Sequence, residues 1–531
     1  MSSKDLTNTP EGIAPSKLPA FLIPSLSDWV FLTLLGWLFF FAAGAASLLA
    51  DGDTGWHIRT GDYILATGQF PRQDLFSFSM EGRQWFAWEW LADVILAVVH
   101  QLAGLPGVSL LAGVVIAGTA AALLRYMQWL RVNVLVAVVA LMMINAASSV
   151  HWLARPHMFT WGFFLAALWI LEADQRQPSW RVYLLVPLVA LWTNIHGGFV
   201  AALVTIGVYG VGRTIEQLWE AYRGSWPRRG WLLPPAASRY GGLLLLCLAA
   251  TLVNPYTYEL HQHIFHYLQS DFILDHVQEF QSPNFRGESE TMYEVALLLG
   301  IAACAGMLRR GEVARPLLIL AWAHASLVSV RHMPLFMIVA VPFLAKELTG
   351  WLEAGARSGN LWLKGLGDLA ADYGGRRKTA AEARPALASW LGVVGIVALA
   401  LVLQARQGQH LWTAEFPEIR FPALASDTFG EQLKGRRVLT MDQWGDYLIY
   451  RFYPEMKVFI DGRSDFYAPE IRDDYVGLLN SHWDWERVLD RYSFEAALVP
   501  VDWSLAAALK LHPEWRLVYD DGFALLFEKR P

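Results

Sequence analysis

Two carboxylates two residues apart, in Asp51-Gly52-Asp53-Thr54-Gly55-Trp56-His57, sit directly after the first long apolar run of this chain. One of them can cap the amphipathic helix that follows, leaving Trp56, Ile64 and Leu65 against a membrane surface. The other can act as general base on an acceptor hydroxyl. Asp51 and Asp53 are also the pair that would hold a divalent cation if one binds. Further along, Ala154-Arg155-Pro156-His157 opens an apolar run, Asn194-Ile195-His196-Gly197-Gly198 forms a turn between two runs, and Val330-Arg331-His332 precedes another. Arg155 and Arg331 either snorkel to lipid headgroups or face a common cavity. In the second case two guanidinium forks would bind a phosphate-like anion, with His157 and His332 assisting. Asn194, His196, His57 and Glu279 are further polar side chains beside these runs.

The elements that must position these residues are membrane spans. Of 531 residues, 55% are apolar and only 17% charged, and the mean hydropathy is +0.31. A soluble chain carries about 25% charged residues, whereas here uncharged runs long enough to cross a bilayer recur along the chain. The net charge of −6 gives no field for a polyanion, so nucleic-acid binding is excluded. Candidate spans are 29–50, 107–124, 132–150, 157–171, 182–195, 198–212, 240–254, 293–308, 315–330, 333–345 and 386–405. The run 88–103 carries Glu89 and Asp93 and is expected to be a membrane-plane or re-entrant helix rather than a crossing.

With that run left out, the loops sort by charge. Arg125, Arg131, Arg176, Arg213, Arg239, Arg309 and Arg310 fall on one side, and the isolated Arg59, Arg155, Arg286 and Arg331 on the other. The positive-inside rule makes the first side cytoplasmic. The expected organisation is a cytoplasmic leader 1–26, a transmembrane catalytic module 27–406 with a first outer loop 51–106, a cytoplasmic loop 346–385, and an extracytoplasmic α/β domain 407–531. In that tail Lys457–Asp461 reads as a strand, Asp521-Gly522 as a hairpin turn, and Asp461 and Arg463 as strand-end ligand contacts or a local ion pair.

The run Asp51 to Gly61, Phe70-Pro71-Arg72-Gln73-Asp74 and Trp88-Glu89-Trp90-Leu91, with Trp444-Gly445-Asp446-Tyr447-Leu448 in the tail, resembles a bacterial family of multispan proteins. That family belongs to the GT-C membrane glycosyltransferases, with a plan similar to protein mannosyltransferases and lipid A aminoarabinose transferases. The resemblance implies an enzyme of the bacterial inner (cytoplasmic) membrane that takes a sugar from a polyprenyl-phosphate donor. The acceptor would be an extracytoplasmic glycan, lipid or protein, and the configuration at the sugar would invert. It implies Asp53 or Asp51 as base, Arg155, His157, Arg331 and His332 at the donor phosphate, and His57, Asn194, His196 and Glu279 as sugar or acceptor contacts. The chain lacks the Trp-Trp-Asp signature of oligosaccharyltransferases, which argues against transfer to a peptide sequon. A transporter of lipid-linked sugars would carry charges or broken helices at mid-bilayer. Only His324 lies deep in a span, and no phosphate loop is present to drive transport. A non-catalytic scaffold is the remaining alternative.

Overall fold

The computed structural model describes residues 24–40, 44–224, 233–367, 391–395, 398 and 414–530, and absences below refer to these. The apolar runs fold as helices: α1 Leu26–Phe40, α2 Asp53–Thr67, α3 Trp90–Trp129, α4 Val134–Ser148, α5 His157–Arg176, α6 Leu185–Thr193 and α7 Phe199–Tyr222. They continue as α8 Pro235–Ala250, α9 Glu259–Leu268, α10 Asp271–His276, α11 Glu288–Arg309, α12 Ala314–Val328 and α13 Met333–Arg357. Among the described residues five segments are long and apolar enough to cross a membrane: Trp90–Trp129, Val134–His151, Phe199–Tyr222, Glu288–Arg309 and Val330–Arg357. Shorter apolar helices stand beside them, so this is a mostly helical, multi-pass membrane protein with a small C-terminal sheet.

Three expected boundaries change. In the run 29–50, α1 is described as far as Phe40, residues 41–43 lie outside the described residues, and from Gly44, left-handed at φ +64°, the chain forms a 3-10 turn, Gly44–Leu49, in place of α-helix. The expected short helix at 88–103 is the first arm of α3. Gly104, at φ 62° and ψ −162°, interrupts the helix, and Pro106 follows it. The expected loop 346–385 begins as helix, because α13 continues to Arg357. The rest of that loop from 368, most of the expected span 386–405 and most of the leader 1–26 lie outside the described residues.

Ion pairs gather the basic loops at one end of the helix bundle. Arg315 reaches Glu172 at 2.8 Å, Arg239 reaches Asp174 at 2.6 Å, Arg310 reaches Glu347 at 2.5 Å, and Arg125 lies 3.7 Å from Asp28. At the opposite end the loops interlock through backbone bonds. Ala154 N–H donates to Leu48 O at 2.7 Å, Leu91 N–H to Asn194 O at 3.1 Å and Val330 N–H to Gln281 O at 2.9 Å.

The tail contains α14 Ala423–Leu433, β1 Val438–Leu439, α15 Asp442–Phe452, α16 Pro469–Leu479, α17 Trp485–Arg491, β2 Ala496–Pro500, α18 Ser504–Leu511, β3 Trp515–Asp520 and β4 Ala524–Lys529. The sheet order is β1-β2-β4-β3, with β1 parallel to β2 and the other pairs antiparallel. The expected hairpin turns at Gly522, which has φ +82°. The expected strand Lys457–Asp461 does not join this sheet. Val458 instead exchanges backbone bonds with the expected first outer loop, 51–106, accepting from Phe78 N–H at 3.0 Å and donating to Phe76 O at 2.9 Å.

Glycines bring α2 into close contact on two sides. A Cβ on Gly52 would stand 2.5 Å from Gln443 O, and one on Gly55 would stand 2.6 Å from Asp446 O, so α15 of the tail lies on α2 backbone to backbone. A Cβ on Gly61 would stand 2.1 Å from Asp93 O in the first arm of α3. Helix α2, which begins at Asp53, is therefore clamped between the tail and the membrane helices.

Candidate active site

Asp53 is the first residue of α2, and its N–H donates to Asp51 Oδ1 at 3.0 Å, which fixes both carboxylates at the helix start. Arg155 precedes α5, and Thr54 Oγ1 donates to Ala154 O at 3.2 Å, holding that loop against α2. The Arg155 guanidinium then meets three carboxylates. Nη1 lies 2.8 Å from Asp51 Oδ2 and 2.9 Å from Glu279 Oε1, and Nη2 lies 2.5 Å from Asp53 Oδ2. Glu279 is shared with Arg331, whose Nε lies 3.8 Å away and whose Nη1 donates to Tyr267 Oη at 3.0 Å.

The electrostatics separate these carboxyls. Burial alone would push Glu279 up, but Arg155 and Arg331 overcome it and hold the group well below the usual carboxylate range. Burial pushes Asp53 up, Arg155 pulls it back, and Asp51 and Glu279 push again, leaving it at about 7. Asp53 is therefore poised near neutrality, where a general base works best. Arg155 stays charged: the three carboxylates outweigh the cost of its burial.

A second polar chain closes the other wall. His57 Nδ1 meets Asp93 Oδ1 at 2.6 Å, and its Nε2 lies 3.7 Å from Glu89 Oε2. Glu89 Oε1 lies 3.5 Å from His196 Nε2. His196 Nδ1 accepts from Gly198 N–H at 2.9 Å, so its proton belongs on Nε2, facing Glu89. Burial pushes Glu89 up to about 8 against the pull of Arg331 and Arg155, and it holds both histidines neutral.

Between these walls lies a cavity of about 60 Å³, room for a few waters. Asp53, Glu89, Arg155, His157, His196, Arg331 and Arg463 line it, with Trp56, Trp85, Trp88 and Tyr267 as aromatic surfaces. A second cavity of about 370 Å³ opens on the other side, between Trp37, Leu38, Trp152, Leu153 and Arg420, with Asp51 in its wall. Asp51 and Asp53 thus face different spaces.

The sequence-predicted set divides accordingly. Asp51, Asp53, Arg155, Glu279 and Arg331 form one charge cluster, and His57, His157 and His196 line the same cavity. His157 Nε2 is engaged by His151 O at 2.8 Å. Asn194 and His332 are elsewhere. Asn194 Nδ2 donates to Ala190 O and Val253 O, and its Oδ1 accepts from Trp90 Nε1, so it ties helix ends together. His332 Nδ1 turns to Ala325 O at 3.3 Å. Asp461 and Arg463 form a buried bidentate pair at 2.8 and 2.6 Å, and Arg463 also reaches Asp74 of the first outer loop at 2.8 Å. That pair joins tail to loop, and only Arg463 of the two reaches the cavity.

Asp51 and Asp53, the expected cation ligands, both turn an oxygen to Arg155. Among the described residues no three His, Cys, Asp or Glu side chains converge to hold a metal ion.

Sequence reasoning missed several members: Glu89 and Asp93 as partners of His57, Tyr267 as partner of Arg331, and Asp446 with Gly462 in the tail. The signal for the first two was present, since positions 89 and 93 are one helical turn apart in an otherwise apolar run. Asp446 Oδ1 accepts from Gly462 N–H at 2.9 Å, and Gly462 itself packs on Asp53.

No family model matches the chain, and no curated protein does. Solved structures do. The apo oligosaccharyltransferase of Archaeoglobus fulgidus aligns at a TM-score of 0.53 and 10% identity, over 90% of this chain and 69% of that one. The archaeal oligosaccharyltransferase AglB from Archaeoglobus fulgidus, in complex with an inhibitory peptide and a dolichol-phosphate, aligns at 0.51 and 10%, over 94% and 73%. At this identity the likeness is one of fold.

Proposed function

We propose that this protein is a GT-C-type glycosyltransferase that moves a sugar from a polyprenyl-phosphate donor to a hydroxyl of a glycan, lipid or protein. The reaction would take place at the outer face of the bacterial cytoplasmic membrane. The observation that carries this reading is Asp53: a buried carboxylate near neutrality, held by Arg155, in a cavity that Arg331 also lines. Asp53 takes the proton of the acceptor hydroxyl while that oxygen attacks the anomeric carbon. The bond from that carbon to the phosphate oxygen breaks in line, the electron pair leaves with polyprenyl phosphate, and the configuration inverts. Arg331, with Arg155 behind it, stabilises the charge that develops on the departing phosphate. No proton need be delivered to that leaving group, because a phosphate departs as a stable anion. Arg155 supplies the fixed positive charge. The shared fold with an enzyme whose complex holds a dolichol-phosphate and a peptide supports a lipid-phosphate donor.

The test uses full-length protein in nanodiscs, undecaprenyl-phosphate hexoses and pentoses as donors, and a membrane extract as acceptor source. The expected result is release of undecaprenyl phosphate from one donor by wild type and its loss in Asp53→Asn. No release from any donor, or equal release by the variant, overturns the assignment.

A further inference from the structure

The tail contributes one cation to the cavity that the transfer chemistry above does not use. Arg463 is 3% exposed, and most of its guanidinium is engaged. Nε donates to Asp461 Oδ1 at 2.8 Å, and Nη2 donates to Asp461 Oδ2 at 2.6 Å and to Asp74 Oδ1 at 2.8 Å. Both partners are themselves fixed. Asp74 accepts from Phe76 N–H at 3.2 Å and from Ser77 N–H at 2.9 Å, and Asp461 Oδ1 accepts from Arg463 N–H at 3.1 Å. Aromatic rings pack about the cation: its central carbon lies 5.0, 4.6 and 4.9 Å from the ring centres of Phe76, Trp85 and Phe466. Nη1 alone is left over. It is buried, and among the described residues it has no hydrogen-bond partner. A buried N–H without an acceptor costs free energy, so its retention calls for an acceptor that comes from outside the chain. Arg463 and Trp85 both line the cavity that holds Asp53 and Arg331, which gives such an acceptor its way in.

The charge around Nη1 decides what kind of acceptor. One guanidinium here meets two carboxylates, Asp461 and Asp74, so the cluster already carries excess negative charge. A carboxylate or phosphate brought to Nη1 in a buried site would add to that excess, whereas an uncharged oxygen takes the bond without adding any. Trp56, Trp85 and Trp88 supply apolar faces on the same cavity, the composition of a site for a ring with polar edges. With room for only a few waters, the cavity must widen to take a whole ring.

We propose that Arg463 is a sugar-binding residue: Nη1 donates to an uncharged oxygen of the donor's sugar, a hydroxyl or an acetamido carbonyl, while Asp461 and Asp74 hold the guanidinium in place. The inference rests on the reading of this cavity as the site of a polyprenyl-phosphate sugar, and it adds a selection for neutral sugars over uronic acids.

Binding tests it without turnover. Full-length protein in nanodiscs is titrated with undecaprenyl phosphate alone and with undecaprenyl-phosphate mannose, N-acetylglucosamine, arabinose and glucuronic acid, and occupancy is read by native mass spectrometry. One neutral sugar should tighten binding about 10- to 100-fold over undecaprenyl phosphate alone, the range for a hydrogen bond to a charged group, and glucuronic acid should not. In Arg463→Lys an ammonium can still sit between Asp461 and Asp74 but has no second nitrogen to spare. It should bind undecaprenyl phosphate as wild type does and lose the advantage of the sugar. Deoxy forms of the best-bound sugar give the same contrast on unaltered protein, since removal of one hydroxyl, or of the acetamido group, should abolish the advantage. The inference is overturned if no neutral sugar tightens binding, if glucuronic acid binds as well, if no single removal matters, or if the advantage survives in folded Arg463→Lys. Absence of turnover from a donor that binds as expected would instead strike the transferase reading, so the two failures are distinguishable.

Discussion

The two polar ends of the helix bundle are built from the same residue types and treat them differently. At the basic end buried carboxylates are matched. Glu172 has Arg315, Asp174 has Arg239, Glu347 has Arg310, and Glu216 accepts the N–H groups of Val313 and Ala314 at 2.5 and 2.9 Å. None of these four leaves an unpartnered oxygen among the described residues. At the other end Asp51, Asp53 and Glu279 share one guanidinium, and Asp53, Asp93 and Asp446 each keep a buried oxygen without a partner. A satisfied network holds helices together. An incomplete one stores the capacity to take up a proton or a ligand, and it is placed where a cavity can deliver one.

Breaking each end should therefore give opposite readouts. The largest effect is expected from Asp53→Asn, which should lower kcat by about 10³-fold, within the range for loss of a general base, with no change in thermal stability. Steady-state release of undecaprenyl phosphate, measured beside a melting curve, checks both halves. Next, Gly462→Ala places a methyl group on Asp53 Oδ1 and should cost about 100-fold in kcat by turning the carboxylate. At the basic end, Glu172→Gln leaves the buried Arg315 with a weaker partner and should destabilise the protein by about 3 kcal/mol, as breaking a buried pair does. Turnover per folded molecule should stay at the wild-type value, which thermal unfolding and active-enzyme counts together decide.

The smallest effect concerns pH. A base must be ionised to act, and Asp53 ionises at about 7, so log kcat should climb with unit slope below that pH and level off above it. One pH unit on the acid side then corresponds to about 1.4 kcal/mol. A profile flat down to pH 5 would place the base elsewhere.

The sequence made the charge cluster legible and hid its completion. Asp51, Asp53, Arg155, Glu279 and Arg331 stand out because ionisable side chains beside apolar runs are rare and expensive. The grouping of Arg125, Arg239, Arg310 and Arg315 at one end also follows from loop composition alone. Asn194 and His332 bond to neighbouring helix backbone and do not line the cavity, since a polar residue at a helix end serves backbone groups as readily as a ligand, and spacing does not distinguish the two. Asp446 and Gly462 could not be read. Their partner is almost four hundred positions away, and close approach through a glycine leaves no periodic mark. The 3-10 turn Gly44–Leu49 in the first apolar run starts at a left-handed Gly44, and hydropathy is blind to backbone handedness.

The glycines of α2 bear on heredity as much as on packing. Gly52 and Gly55 touch α15 so closely that a methyl group on either collides with tail backbone, and Gly61 does the same against the first arm of α3. The tail is thus not an interchangeable module. A tail transplanted from another chain could seat only if its helix left room at the same two glycines. The 51–106 segment and the tail, about four hundred positions apart, are bound to change together.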